Sequence, residues 1–175
     1  MLKCLNARML KCKGFTLVEL LVSIFIIILM SGIIFANYRT GGQQFALQRS
    51  VNKLAQDIRR AQAMAMAAQE HSSCPASYKF GYGIYLTTGE SGHYILFADC
   101  DNDKCYDSGE MVEDINFEAG VKIKTLSGDP LLYITFTPPD PTVNITPSAP
   151  ASIELIIDSQ SKTITVNQAG LIEIE

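Results

Sequence analysis

Between Phe15 and Ala36 the chain is apolar with a single charged side chain, Glu19, near its start. As a helix this block measures about 33 Å, enough to cross the hydrocarbon core of a bilayer. A carboxylate at membrane depth costs several kcal/mol on insertion scales. Any reading of the chain must therefore explain both the block and the charge inside it.

The 175 residues suggest one domain with an appendage. The chain is 47% hydrophobic, but much of that is concentrated in the block, and the rest reads as an ordinary soluble domain. Formal net charge is −4, unevenly spread. Lys3, Arg8, Lys11 and Lys13 precede the block with no acid among them, whereas the part after Ala68 is acidic. The positive-inside bias then keeps the N-terminus cytoplasmic and exports the C-terminal part. On that topology Cys4 and Cys12 face a reducing compartment, and Cys74, Cys100 and Cys105 an oxidising one. A secretory signal peptide would have a shorter apolar core and a small-residue cleavage site. A plain signal anchor fits the length but leaves Glu19 unexplained.

The stretch "KGFTLVELLVSIFIIIL" resembles the N-terminal signature of type IV prepilins and type II secretion pseudopilins. The resemblance rests on Gly14 before Phe15, then Thr16-Leu17-Val18-Glu19-Leu20-Leu21, then the apolar run. It implies that a membrane peptidase cuts between Gly14 and Phe15 and methylates the new N-terminal Phe15. The leader 1–14, with Cys4 and Cys12, would be lost. The cut leaves a protonated amine on Phe15, and opposite charges in contact largely offset each other's burial. The resemblance implies that Glu19 meets the Phe15 amine of a neighbouring subunit as helices stack into a filament core. Pairing within the first turn of one chain is the alternative, and a helix N-terminus favours a carboxylate in either case. The implied partners are the prepilin peptidase/methyltransferase, other pilin or pseudopilin subunits, an inner-membrane assembly platform, and membrane lipid before assembly. No Pro interrupts the apolar run, so little bend is expected in that helix.

Beyond the block, Gly41-Gly42 predicts a flexible or partly melted point, since glycine weakens a helix by about 1 kcal/mol relative to Ala. Leu47, Val51, Leu54, Ile58, Ala61 and Ala65 then recur at steps of four and three, one face of an amphipathic helix. Met64 and Met66 are expected as core filler. Gln48, Arg49, Asn52, Lys53, Gln56, Arg59 and Arg60 lie opposite. The cations among them could contact nucleic acid, but the domain is acidic and they lack interleaved aromatics, which favours a solvated face or subunit interface.

From Tyr78 the texture becomes β-rich. Strands are predicted at Gly83–Leu86, Tyr94–Ala98, Val121–Leu126, Leu131–Phe136, Ile153–Ile157, Thr163–Val166 and Leu171–Ile174, with a tight turn around Ser159-Gln160. The Pro-rich "TPPDPTVNITPSAP" is expected as an exposed loop with room for one edge strand. The segments "LAQDIRRAQAMAMA", "GYGIYL", "FADCDNDKCYDSGE" and "ITVNQAGLIEIE" resemble GspH/FimT-like minor pilins. That resemblance implies an α+β fold, a long N-terminal helix packed on antiparallel β-sheets, and a scarce subunit that primes or caps a pilus or pseudopilus. The expected divisions are a leader at 1–14, a membrane or filament-core helix at 15–36, its amphipathic continuation at 37–70, and an exported β-rich domain at 71–175. A DNA- or surface-binding tip pilin of a competence or adhesion system is the alternative function.

The loop "DCDNDKCYDSGE" has its own chemistry. Asp99, Asp101, Asp103, Cys105, Asp107 and Glu110 fall at positions one, three, five, seven, nine and twelve. That is calcium-loop spacing, with a backbone carbonyl at seven and a bidentate Glu at twelve. Lys104 stands where such a loop wants Gly, and a solvated acidic turn is the competing reading. Cys74 could bridge to Cys100 or Cys105, or Cys100 to Cys105. His71 and His93 lack zinc-ligand spacing to any cysteine pair. No nucleophile–His–acid grouping or phosphate-binding glycine loop marks an enzyme.

Overall fold

The computed structural model describes residues 14–72, 74, 81–138 and 143–175, and for residues 35–40 the backbone path alone. Most of the leader, with Cys4 and Cys12, lies outside the described residues. The chain divides into two compact units, the second being Gly42–Glu175.

One helix, α1 (Leu17–Met66), runs through the expected membrane and amphipathic stretches. It continues through Gly41 and Gly42, contrary to the melted point predicted there. Glycine costs a helix entropy but removes no backbone hydrogen bond, and long helical sequence on both sides keeps the ladder intact. In the first unit Leu17–Ile34 has a mean hydropathy of 2.8 and is wholly uncovered. The hydroxyls of Ser23 and Ser31 donate to the carbonyls of Glu19 and Ile27, at 2.7 Å each. The two groups are thereby satisfied within the helix itself.

In the second unit the predicted stripe is the buried face: Leu47, Val51, Leu54, Ile58, Ala61 and Ala65 are all buried. Met64 packs partly against the core. Met66 instead is 40% exposed, because it lies off the buried stripe, about 100° around the helix from the buried Ala65.

Among the described residues nine strands follow: β1 (Gly81–Thr87), β2 (His93–Asp99), β3 (Met111–Asn116), β4 (Lys122–Leu126), β5 (Leu131–Phe136), β6 (Val143–Thr146), β7 (Ala151–Ile157), β8 (Gln160–Val166) and β9 (Ile172–Ile174). They form two antiparallel sheets, β3-β2-β1-β5-β6 and β4-β7-β8-β9. All seven predicted strands are present, within a few residues at their ends. Strand β6 occupies the Pro-rich loop as an edge, and β3 is an addition to the expected set. The β7–β8 hairpin turns at Asp158-Ser159, one residue earlier than expected, with Asp158 at φ 51° and Ile157 opposite Gln160.

The helix stripe and the inner faces of both sheets share one core. Tyr82, Ile84 and Leu86 of β1, Leu96 of β2, and Leu132, Ile134 and Phe136 of β5 alternate into it, as period-two strands with one buried face must. The Tyr94 hydroxyl, at the same interface, donates to Asp57 of the helix at 2.5 Å. The expected α+β architecture of a helix on antiparallel sheets is thus the one observed.

Candidate functional site

The first chemical region is the helix start. Thr16 precedes the first helical residue, and its Oγ1 accepts the backbone N–H of Glu19 at 3.2 Å. Thr16 is therefore the N-cap and Glu19 the third helical residue, the Thr-x-x-Glu spacing of a capping box. Sequence reading passed over this second role of the Thr16–Glu19 pair, although the spacing alone signals it. Glu19 is exposed in a field of exposed apolar side chains that includes Phe15, Leu17, Leu20 and Leu21. Gly14 is also exposed, and a side chain there would meet no neighbour.

The second region is the loop between β2 and β3, on the face of the larger sheet that points away from the core. Two glycines of β1 make the space it needs. Gly83 pairs with Phe97, and a Cβ on Gly83 would come within 2.7 Å of the Phe97 ring and of Thr135 Cγ2. Gly81 pairs with Asp99, whose side chain lies 3.4 Å from where a Gly81 Cβ would sit. Tyr106 returns the loop to this face, its ring 5.3 Å from Tyr85 and 5.7 Å from Phe97 between centroids. Such aromatic pairs add about 0.5–1.5 kcal/mol each beyond area burial. Cys74 and Cys100 form a disulfide that ties the segment after α1 to the root of this loop. Cys105 is a free thiol, held up in pKa first by burial and then by Asp103, Asp107, Asp99 and Asp101.

Within the loop the carboxylates separate into two roles. Asp99, Asp101 and Asp103 converge, one carboxylate oxygen of each lying within 4.8 Å of the others. Glu110 turns inward instead, its Oε1 accepting the Cys100 N–H at 2.7 Å and its Oε2 the Asp107 N–H at 3.0 Å. It stands outside the three-carboxylate group, as does Asp107. Asp101 and Asp103 accept the N–H groups of Asp103 and Cys105 at 3.2 and 2.7 Å. Lys104 takes the left-handed backbone (φ 68°) that its position in a calcium loop requires, without being Gly. Asp99 is 1% exposed. Its carboxyl is pushed up to about 6, first by burial and also by Glu110 and Asp103, against the lowering effect of the Asn102 and Lys104 backbone amides.

The basic helix residues are only partly free. Arg60 pairs with Glu113 at 2.7 Å and Arg49 with Glu118 at 3.3 Å, each linking the helix to the β3 region. Exposed pairs of this kind contribute about 0.2–1 kcal/mol. Lys53 and Arg59 remain exposed, so only part of the cationic row faces solvent uncompensated, a weak footprint for nucleic acid.

An uncovered apolar helix carrying one carboxylate, in a chain whose helix also packs on antiparallel sheets, defines a pilin-type assembly subunit. The prokaryotic N-terminal methylation motif matches residues 9–35. The family described as type II transport protein GspH matches residues 50–170, and the chain belongs to that family. No curated protein and no solved structure matches it significantly. The GspH family consists of structural subunits, and the methylation motif implies processing by prepilin peptidase and assembly with other pilin subunits. The helix and motif together fit a membrane-anchored pilin.

Proposed function

We propose that this protein is a non-catalytic minor pilin or pseudopilin that primes or caps a type IV pilus or a type II secretion pseudopilus. Peptidase cleavage falls between Gly14 and Phe15, and Phe15 becomes the methylated N-terminus. The subunit waits in the cytoplasmic membrane with its N-terminus inside and its sheet domain exported, in contact with the inner-membrane assembly platform. During assembly Glu19 draws the Phe15 amine of a neighbouring subunit into the apolar core of the filament. The observation that carries this reading is the exposed Glu19 on an otherwise apolar, uncovered helix. Its charge is costly against lipid and is offset by an opposite charge supplied by assembly.

The test is Glu19→Ala in cells that make the filament. The peptidase cut is expected to persist, read as the mass of the mature chain, while incorporation into sheared filaments is lost. Normal incorporation of the variant would refute the role given to Glu19.

A further inference from the structure

Among the described residues of the β2–β3 loop, one fully buried polar side-chain atom lacks a hydrogen-bond partner. Asp99 Oδ2 accepts the Lys104 N–H at 3.2 Å. Asp99 Oδ1 is fully buried and has no hydrogen-bond partner among the described residues. A buried carboxylate oxygen left unpaired costs on the order of 1–3 kcal/mol or more. One carboxylate oxygen each of Asp99, Asp101 and Asp103 lie within 4.8 Å of one another. Lys104 contributes its backbone N–H to this arrangement. Three converging acids, one of them buried with an unused lone pair, form an arrangement that protein donors do not complete. A hard cation with oxygen ligands would complete it.

We propose that Asp99, Asp101 and Asp103 form a calcium site, with Asp99 Oδ1 as the buried anchor ligand and the two exposed carboxylates closing over the ion. This is a narrower donor set than the twelve-residue spacing suggests. Glu110 serves the loop by holding the Cys100 and Asp107 amides, so the remaining coordination positions fall to water and backbone oxygen. Calcium suits such a set because it accepts six to eight oxygens in flexible geometry, whereas magnesium demands a near-ideal octahedron. Few protein ligands and much water place the affinity in the weak, extracellular-module range of about 10⁻⁴–10⁻³ M. The inference concerns the sheet domain alone and does not depend on how Glu19 acts in assembly.

The test uses the full-length chain in detergent micelles, stripped with chelator and titrated with calcium chloride by calorimetry. Melting is followed by circular dichroism in parallel. One saturable site is expected, with a midpoint raised by roughly 5 °C at saturating calcium. Asp101→Asn combined with Asp103→Asn changes only exposed side chains. It is expected to weaken binding at least about tenfold and abolish the calcium-dependent shift, with the midpoint in chelator kept. Magnesium chloride is expected to bind at least about tenfold more weakly. No binding heat and an unmoved midpoint at about 10 mM calcium would overturn the proposal, as that exceeds the stated affinity range. Unchanged binding by the double variant would overturn this ligand set, and equal binding of magnesium would overturn the calcium assignment.

Discussion

Breaking the Cys74–Cys100 bridge is the perturbation whose magnitude follows most directly from the structure. The two cysteines are 26 residues apart in sequence. Cross-linking a loop of that length removes about 12 cal/mol/K of chain entropy from the unfolded state, or about 3.5 kcal/mol at 25 °C. A Cys74→Ser, Cys100→Ser double variant should therefore lose about 3.5 kcal/mol, a large part of the roughly 5–15 kcal/mol typical of a folded domain. The bridge encloses all of β1 and β2, so the gain in freedom is felt by the strands that hold the acidic loop. With no Trp and seven Tyr in the chain, unfolding is best followed by tyrosine fluorescence in urea on the full-length protein in detergent. The midpoint should fall and the slope with denaturant should rise, since the unbridged unfolded chain is less compact and exposes more surface. Reducing the unmodified protein should give the same loss within about 1 kcal/mol if chain entropy dominates. A loss below about 1 kcal/mol in both experiments would refute the entropic argument. Peptide mapping that found Cys105 in the bridge would refute the pairing itself.

Three further outcomes are expected. Leu54→Ala removes a wholly buried side chain between helix and sheets and should cost about 2–5 kcal/mol in urea unfolding. Gly83→Ala places a methyl 2.7 Å from the Phe97 ring and Thr135, and should destabilise by about 1–3 kcal/mol while shifting the near-ultraviolet signal of the Tyr85–Tyr106–Phe97 cluster. The Glu154 carboxyl lies below its ordinary value, chiefly through its hydrogen bond from Lys124 and then that of Ser161. Its folded value is depressed, so its contribution is present above pH 4.5 and is lost as pH falls through the lowered value. Lys124→Met should raise the Glu154 titration midpoint seen by carboxyl NMR, and an unmoved midpoint would remove this cause.

The sequence carried the helix stripe because its burial is local and periodic. Leu47 to Ala65 repeats at helical spacing, and each of the six side chains is buried where the pattern places it. Strands with one clean apolar face, such as Ile153 to Ile157, were legible for the same reason. Strand β3 was not, because "MVEDIN" is an edge with only Ile115 fully buried and its two acids, Glu113 and Asp114, turned to Arg60 and His93 at the surface. The acidic loop was legible as a cluster but not in its division of labour. Spacing put Glu110 among the ligands, whereas its oxygens hold backbone amides seen only once the chain folds back. The choice of Cys100 over Cys105 as the partner of Cys74 likewise depends on which thiol the sheet brings near, and not on spacing along the chain.

The Thr16 cap has a consequence for the order of events at the N-terminus. Thr16 bonds to the Glu19 amide from a position two residues beyond Gly14. A cut after Gly14 would discard every residue before Phe15 and leave that bond untouched. Proteolysis would then act as a change of charge and not of shape: the helix would enter and leave the enzyme with the same first turn. What such a cut would alter is which groups the turn presents, setting a new amine at Phe15 four residues before the exposed Glu19 carboxylate.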